Sequence, residues 1–458
     1  MPETEKRFKK GKPVHPTLHR TIRPFREFMK LEASGGTLIL GCVVIALLWA
    51  NLPFGWTYDL LWETQFSITL GASSIEGPLV FWINDFLMAI FFFLIGLEIK
   101  RELLIGWLSK REQALLPLIG AAGGMIFPAA IYLIFNPPGS PGSAGWAIPM
   151  ATDIAICLGL IALLGKQIPI ALKVFLTTLA IADDIGGIIV IAIFYSHGIH
   201  WEFLVLAGFI VLFLAGANRL GIRPLQPYIV GGIALWVALL FGGIHPTLAG
   251  VLLAGTVPAT TKIDYLEFKE INSQMQERIE KIVAASPDHM DVKSFLYTTQ
   301  TVEKACHDVE APLQRIDAVL APWVVFLIVP MFALANAGIT LEADFLAVVG
   351  NPVALGVIFG LVLGKPLGVL TFVWISERLN IVRFGDSINW DMLSGVALLT
   401  GIGFTISLFI GGLSFQQSTL LESAKVGILL GSFISGILAM FRIRAAIARN
   451  EDAQGSPI

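Results

Sequence analysis

The sequence predicts an all-α polytopic membrane protein of twelve transmembrane helices, with discontinuous fourth and eleventh helices in two inverted repeats and a small β-hairpin on the outer side. Three observations carry this prediction. Of 458 residues, 55% are hydrophobic and only 14% charged, with a mean hydropathy of +0.76; soluble globular chains carry about 25% charged residues. Twelve apolar runs of spanning length, cut by Gly, Pro or polar clusters, begin near Leu38, Val80, Ala114, Trp146, Ile170, Trp201, Pro224, His245, Val319, Pro352, Asp391 and Lys425. Basic residues, finally, occupy only alternate loops.

Taken in order, the chain starts with a tail, residues 1–36, whose first 32 positions hold nine Lys or Arg against four acids. It lacks a cleavable signal pattern. A basic arm of this kind also suits nucleic acid, but beside a membrane span it reads as a cytoplasmic tail, and no nucleic-acid partner is expected. The transporter-like domain is assigned to 37–446 and a second cytoplasmic tail to 447–458. If the chain starts inside, the outer loops are 52–79, 137–145, 196–200, 241–244, 339–351 and 413–424, and none contains a Lys or Arg. The inner side takes Lys100, Arg101, Lys110, Arg111, Lys166, Lys173, Arg219, Arg223, Arg378, Arg383, Arg442 and Arg444. That asymmetry predicts both termini in the cytoplasm. The eighth run, His245 to Pro258, is short for a crossing and suggests a tilted or sheltered helix.

Two insertions interrupt the spans. The 52–79 loop contains Gln65–Gly71 and Ser74–Pro78, alternating segments about a Gly-Ala-Ser turn. They read as a β-hairpin whose edges pair with a second copy, giving a homodimer; an irregular loop is the plainer alternative. The 262–317 insertion carries eleven acids against seven bases, with Ile263, Leu266, Met275, Ile279 and Ile282 at helical spacing. One or two cytoplasmic amphipathic helices are expected there, regulatory or simply a solvated linker. Three scattered cysteines, Cys42, Cys157 and Cys306, support no disulfide framework.

The chemistry lies inside the spans. Asp183 and Asp184 sit mid-way along the run from Ile170 to Tyr195, where one Asp costs about 2.5–3.5 kcal/mol even on lenient insertion scales. In the fourth run, Pro149 precedes Thr152 and Asp153; in the eleventh, Thr400 and Thr405 flank Gly401 and Gly403. Both patterns favour unwound backbone. Interrupted helices in corresponding positions of two halves point to inverted repeats, helices 3–5 and 10–12, with the substrate near the midplane. A broken helix presents positive N-terminal and negative C-terminal half-ends. Asp153 offsets the former, and Lys365, in Gly364-Lys-Pro-Leu-Gly368, offsets the latter or pairs with an aspartate. Each of these also has a purely structural reading, as a capping or dipole-compensating group. Two carboxylates with threonine and carbonyl oxygens suit a small hard cation, Na⁺ or Li⁺. Cation and protons then compete for the same oxygens, which is an exchange mechanism; one cation against more than one proton would move net charge. No cofactor is required beyond the transported ions.

At the ends of the spans, Glu98 and Glu102 form an i,i+4 pair with Arg101 beside them, either an acidic funnel or a charged helix end. Asp85 reads as an N-terminal cap or a residue of the outer mouth, and His245 as a pH-sensing or a satisfied interfacial imidazole. Two other function classes place carboxylates in membrane helices. An intramembrane aspartyl protease needs aspartates on separate helices, one within Gly-x-Gly-Asp, which Asp183-Asp184 does not supply, so an enzyme is not expected. A sodium-coupled symporter would need a further cavity for its organic solute.

Trp82-Ile-Asn-Asp85, Gly96-Leu-Glu-Ile-Lys-Arg-Glu-Leu103, Gly145-Trp-Ala-Ile-Pro149, Ala151-Thr-Asp-Ile-Ala155, Ala182-Asp-Asp-Ile185, His245-Pro-Thr-Leu-Ala-Gly250, Phe332-Ala-Leu-Ala-Asn-Ala-Gly338, Gly364-Lys-Pro-Leu-Gly368 and Gly401-Ile-Gly-Phe-Thr405 closely resemble NhaA-type sodium/proton antiporters of bacterial inner membranes, from about Glu32 to Arg444. The resemblance implies crossed, broken fourth and eleventh helices. It implies a core (helices 3–5 and 10–12) moving against a dimerising panel (helices 1, 2 and 6–9), lipid surroundings, and export of Na⁺ or Li⁺ driven by proton entry. By position it makes Asp183 and Asp184 the cation and proton site. Thr152, Asp153 and Lys365 become the partners at the broken helix ends, Gly401 and Gly403 the unwound stretch, and Asp85 the outer mouth. Glu98, Arg101, Glu102, His245 and Asp317 fall on positions tied to the cytoplasmic funnel and pH response. Some members carry histidines before the Pro-Trp of the ninth helix where this chain has Ala318 and Ala321, with Asp317 for a longer acid; this implies a pH response of different midpoint or steepness.

Overall fold

Without water to satisfy the backbone, a long apolar segment closes its hydrogen bonds within itself, and helices dominate the computed structural model, which describes residues 16–70, 73–196, 198–285, 292–340, 345–381 and 389–454. Parts of both tails (1–15, 455–458), the hairpin turn at 71–72, residues 286–291 of the insertion, 341–344 of an outer loop and Arg383 lie outside the described residues. Among those described, nine helices are long and apolar enough to cross a membrane: Ser34–Asn51, Leu79–Leu104, Ala114–Phe135, Ser143–Leu163, Ile170–Phe194, Trp201–Arg219, Pro312–Asn336, Pro352–Arg378 and Ser418–Arg449. A tenth results if Trp390–Leu399 and Phe404–Ser414, bent by 43° across a short break, count as one. The seventh expected run is an apolar helix of 17 residues, Gln226–Gly242.

The eighth run departs most from expectation. Its helix covers only Leu248–Thr256, about 14 Å at 1.5 Å per residue, against a hydrocarbon core of ~30 Å. Gly243, at φ 76°, ends the preceding helix, and Pro246, which has no N–H, holds His245–Thr247 in a turn closed by Leu248 N–H donating to the His245 carbonyl (3.1 Å). Pro258 stops the other end. The stub packs tightly on Leu79–Leu104: a Cβ on Gly250 would lie 2.1 Å from the Ala89 carbonyl oxygen, and one on Gly96 2.7 Å from Ala254 Cβ.

Among the described residues three long helices contain a widened π turn, and in two of them it precedes a proline: Val324–Ile328 before Pro330 and Gly360–Gly364 before Pro366. Each proline lacks the N–H that would bond four residues back and pushes that carbonyl away, and the residue so displaced, Phe326 or Val362, lies in the π turn. The second of these turns delivers Lys365 to the interior. Its helix crosses Arg111–Phe135 at a pair of glycines: a Cβ on Gly123 would sit 2.2 Å from the Gly368 carbonyl oxygen, and one on Gly368 2.1 Å from that of Gly123.

Outside the spans, Gln65–Leu70 and Ser73–Pro78 pair antiparallel, with Phe66 opposite Gly77 and Ile68 opposite Ile75. A helix not anticipated from the sequence, Trp56–Glu63, precedes them. The insertion forms helices Tyr265–Ala285 and Val292–Val309, packed on one another. Met275 and Ala305 are buried, but Leu266, expected on the apolar face, is 71% exposed; it lies in the first turn, where no opposing element covers it.

Candidate ion-exchange site

Two breaks cross at the centre of the molecule. Ser143–Met150 forms a 3₁₀ helix, Ala151–Asp153 run extended, and Ile154–Leu163 resumes as α-helix. The lapse follows Pro149 by two residues, because Pro149 fits a tight helical turn and the extended stretch begins only where the turn can no longer close. Opposite, Thr400–Gly403 separate Trp390–Leu399 from Phe404–Ser414. Gly401 and Gly403 are needed there for space: a Cβ at 401 would lie 2.4 Å from the Leu361 carbonyl oxygen, and at 403 2.2 Å from Ser407 Oγ. Asp153 N–H donates to the Ile402 carbonyl (2.6 Å), tying one break to the other. Ser407, which sequence reasoning did not single out, donates to the Ile148 carbonyl (2.7 Å).

The charges sit where the half-helix ends call for them. Asp153 accepts from the Ile156 N–H (3.0 Å) in the first turn of its own half-helix, and from the Thr405 N–H (3.1 Å) and hydroxyl (2.7 Å) in the first turn of the other. One carboxylate thus serves two positive helix N-termini. Lys365 is fully buried, and its Nζ donates to the carbonyl of Met150, at the C-terminal end of the 3₁₀ helix, and to Asp183 Oδ2 at 2.8 Å. Thr152 hydroxyl donates to the same Oδ2 (2.7 Å), with the Thr400 carbonyl 3.0 Å away as the alternative acceptor.

Asp184 is different. It is buried, yet it makes none of these bonds; among the described residues, its Oδ1 and that of Asp183 are buried acceptors without a hydrogen-bond partner. A buried acceptor left alone costs about 1–3 kcal/mol and more if charged, so each marks a place for a proton or a cation. Asp184 lines a cavity of about 60 Å³ shared with Glu98, Thr152, Asp153 and Thr405. Among the described residues, Asp153, Asp183 and Asp184 therefore lie around one ammonium, Lys365, in an interior where uncompensated charge is not sustained.

The remaining expected residues divide into three places. Glu98 is buried in this cavity rather than exposed at a helix end, whereas Glu102 accepts from the Trp107 N–H (2.8 Å) and lies outside it. Arg101 pairs with Asp317, joining the Leu79–Leu104 and Pro312–Asn336 helices. Asp85 is not an N-cap: it lies inside the helix, in the π turn Trp82–Leu87, and its carboxylate is 3.3 Å from His245 Nε2. His245 therefore sits at the opposite end of Leu79–Leu104 from Arg101 and Glu102, apart from the funnel cluster. Its Nδ1 meets Thr247 Oγ1 at 2.7 Å and its ring stands edge-on to Phe409 of the Phe404–Ser414 half-helix, 5.3 Å between centroids.

Comparison with known proteins adds an independent line. The family model described as Na⁺/H⁺ antiporter 1 matches residues 26–443. The Na⁺/H⁺ antiporter NhaA of Oleidesulfovibrio alaskensis is 41% identical over 436 residues, covering 95% of this chain and 96% of its own length. The protein of the same name from Syntrophobacter fumaroxidans is 43% identical, covering 92% and 90%, and that of Shewanella putrefaciens 42%, covering 92% and 96%. A match that spans both crossed breaks, the buried aspartates and the lysine leaves one conclusion: the chain belongs to the Na⁺/H⁺ antiporter 1 family.

Proposed function

We propose that this protein is a sodium/proton antiporter that exports Na⁺ or Li⁺ in exchange for incoming protons across a bacterial inner membrane, electrogenically and under pH control. The observation that carries the reading is the asymmetry of the two adjacent carboxylates: Asp183 is held by Lys365 and Thr152, while Asp184 presents an unpartnered oxygen to the cavity. Each carboxylate in this interior needs a counter-charge or a proton. A cation entering at Asp184 displaces its proton and draws Asp183 away from Lys365. The ammonium, stripped of its counter-ion in low dielectric, then gives up its own proton. One cation out for more than one proton in moves net charge. The cavity, about 60 Å³, suits a small ion and is well below the ~300–1,000 Å³ of organic-ligand pockets, which disfavours a solute symporter.

Alternation of access is read as motion of the helices bearing the site against the rest. The mutual Gly123–Gly368 crossing supports pairing the third and tenth helices as equivalents in inverted repeats. On this reading the short Gln226–Gly242 and Leu248–Thr256 helices are the seventh and eighth of twelve spans. Arg101–Asp317 and Asp85–His245 tie the second helix to the ninth and to the start of the eighth, at opposite ends of the part against which the site-bearing helices move, and are read as supplying the pH response. Absence of Lys and Arg from one set of loops supports cytoplasmic termini, and the open edges of the hairpin support a homodimer. In everted vesicles, addition of Na⁺ or Li⁺ is expected to collapse a preset proton gradient, while K⁺ is not; an equal response to K⁺ would overturn the reading.

A further inference from the structure

Opposite the ion cavity, the crossing helices leave an apolar groove of about 570 Å³ on the outside of the bundle. One wall is Leu40 and Val44 of the Ser34–Asn51 helix; the other is Phe433 and Phe441 of Ser418–Arg449, all well exposed. Its floor includes Leu160 and Ile402, from the two interrupted segments. On the Ser418–Arg449 helix the lining runs from Leu429 to Arg444, about 22 Å at 1.5 Å per residue, long enough for an extended acyl chain. At one end stands Arg444, the single charged residue of the lining. The neighbouring Arg442 and Arg449 are both held by Asp391, at 2.5 and 3.3 Å, whereas Arg444 is exposed and has no ion pair among the described residues. An apolar slot ending in an uncommitted guanidinium has the complementarity of an anionic amphiphile: hydrocarbon along the slot, phosphate on the fork.

We propose that this groove binds an anionic glycerophospholipid, one acyl chain lying along it and the phosphate at Arg444. The chain then touches the outer faces of both interrupted segments, whose inner faces line the ion site, and it bridges them to the Ser34–Asn51 helix. Bound lipid thus braces the breaks from behind. That the lipid thereby sets the exchange rate rests on the antiport reading; the binding itself does not, and binding is what the test measures.

Purified protein is equilibrated in mixed micelles with phosphatidylglycerol or phosphatidylcholine, and retained lipid is counted by native mass spectrometry. Wild type is expected to retain phosphatidylglycerol in preference. Arg444→Gln, a surface change, should lower that retention about tenfold and remove the preference. Gly436→Phe should abolish retention by filling the groove: a Cβ there meets only Leu160 and Ile402 side chains at 3.4 and 3.6 Å, ordinary contacts, so the helix is kept. Equal retention of the two lipids by wild type, or unchanged phosphatidylglycerol retention in both variants with wild-type unfolding midpoints, would overturn the proposal.

Discussion

At the scale of single residues, the adjacent aspartates have separable jobs, and the difference lies in their partners. Asp183→Asn removes the counter-ion of a fully buried ammonium, and breaking a buried pair from one side costs about 3–5 kcal/mol. That variant should lose both transport and several degrees of unfolding midpoint in detergent. Asp184→Asn leaves the Lys365–Asp183 pair intact and should lose transport while keeping near-wild-type stability. Equal stability loss in the two variants would refute the division of roles. Thr405→Val tests the shared cap: it deletes the 2.7 Å hydroxyl bond to Asp153 but spares the 3.1 Å backbone bond, so a drop of about 1 kcal/mol is expected in chemical unfolding. The 100° step between neighbouring helical residues already separates the faces of Asp183 and Asp184 in the sequence. What the sequence hid was long-range partnership. Nothing near Arg101 indicates Asp317, or near Asp85 indicates His245; short-range spacing suggests a Glu98–Glu102 pair, whereas packing puts the former in the cavity and the local turn after the helix puts the latter on the Trp107 N–H.

At the scale of elements, the breaks were legible because their cause is local. Proline without a donor and glycines without a side chain mark the interrupted segments directly. The eighth run starts later than His245 because Pro246 keeps His245–Thr247 in a turn before the apolar helix begins at Leu248. The unanticipated Trp56–Glu63 helix is fixed from afar: the single Tyr58 hydroxyl hydrogen points between the carbonyls of Leu334 and Ala335, 2.8 and 2.9 Å away, and the oxygen accepts from the Gly338 N–H at 3.1 Å. Burial pushes the Tyr58 hydroxyl up to about 12 from its ordinary 10.0. A phenol bound more tightly to its proton in the folded state contributes stability that is complete below pH 10 and lost as pH rises toward about 12. The unfolding-midpoint advantage of wild type over Tyr58→Phe should therefore be flat up to pH 10 and shrink above it. For the helix crossing, Gly123→Ala drives a methyl to 2.2 Å from the Gly368 carbonyl oxygen; overpacking costs roughly 1–3 kcal/mol, and transport should fall with stability because the same helix carries Lys365.

At the scale of the whole molecule, a buried, charged centre lies within an apolar exterior that carries a small two-stranded sheet among the described residues. Ile68 is 49% exposed on a two-stranded hairpin with open edges; the proposed homodimer through this hairpin predicts a dimeric wild type and a monomeric Ile68→Lys in light scattering, and a monomeric wild type or a dimeric variant would overturn it. Competition between protons and a cation at Asp184 is measured by calorimetric titration of Na⁺ into purified protein in buffers of different ionisation enthalpy. Wild type should release more than one proton per Na⁺ bound, and Asp184→Asn should show neither binding nor release. Sodium binding without proton release, or wild-type release from the Asp184 variant, would contradict it.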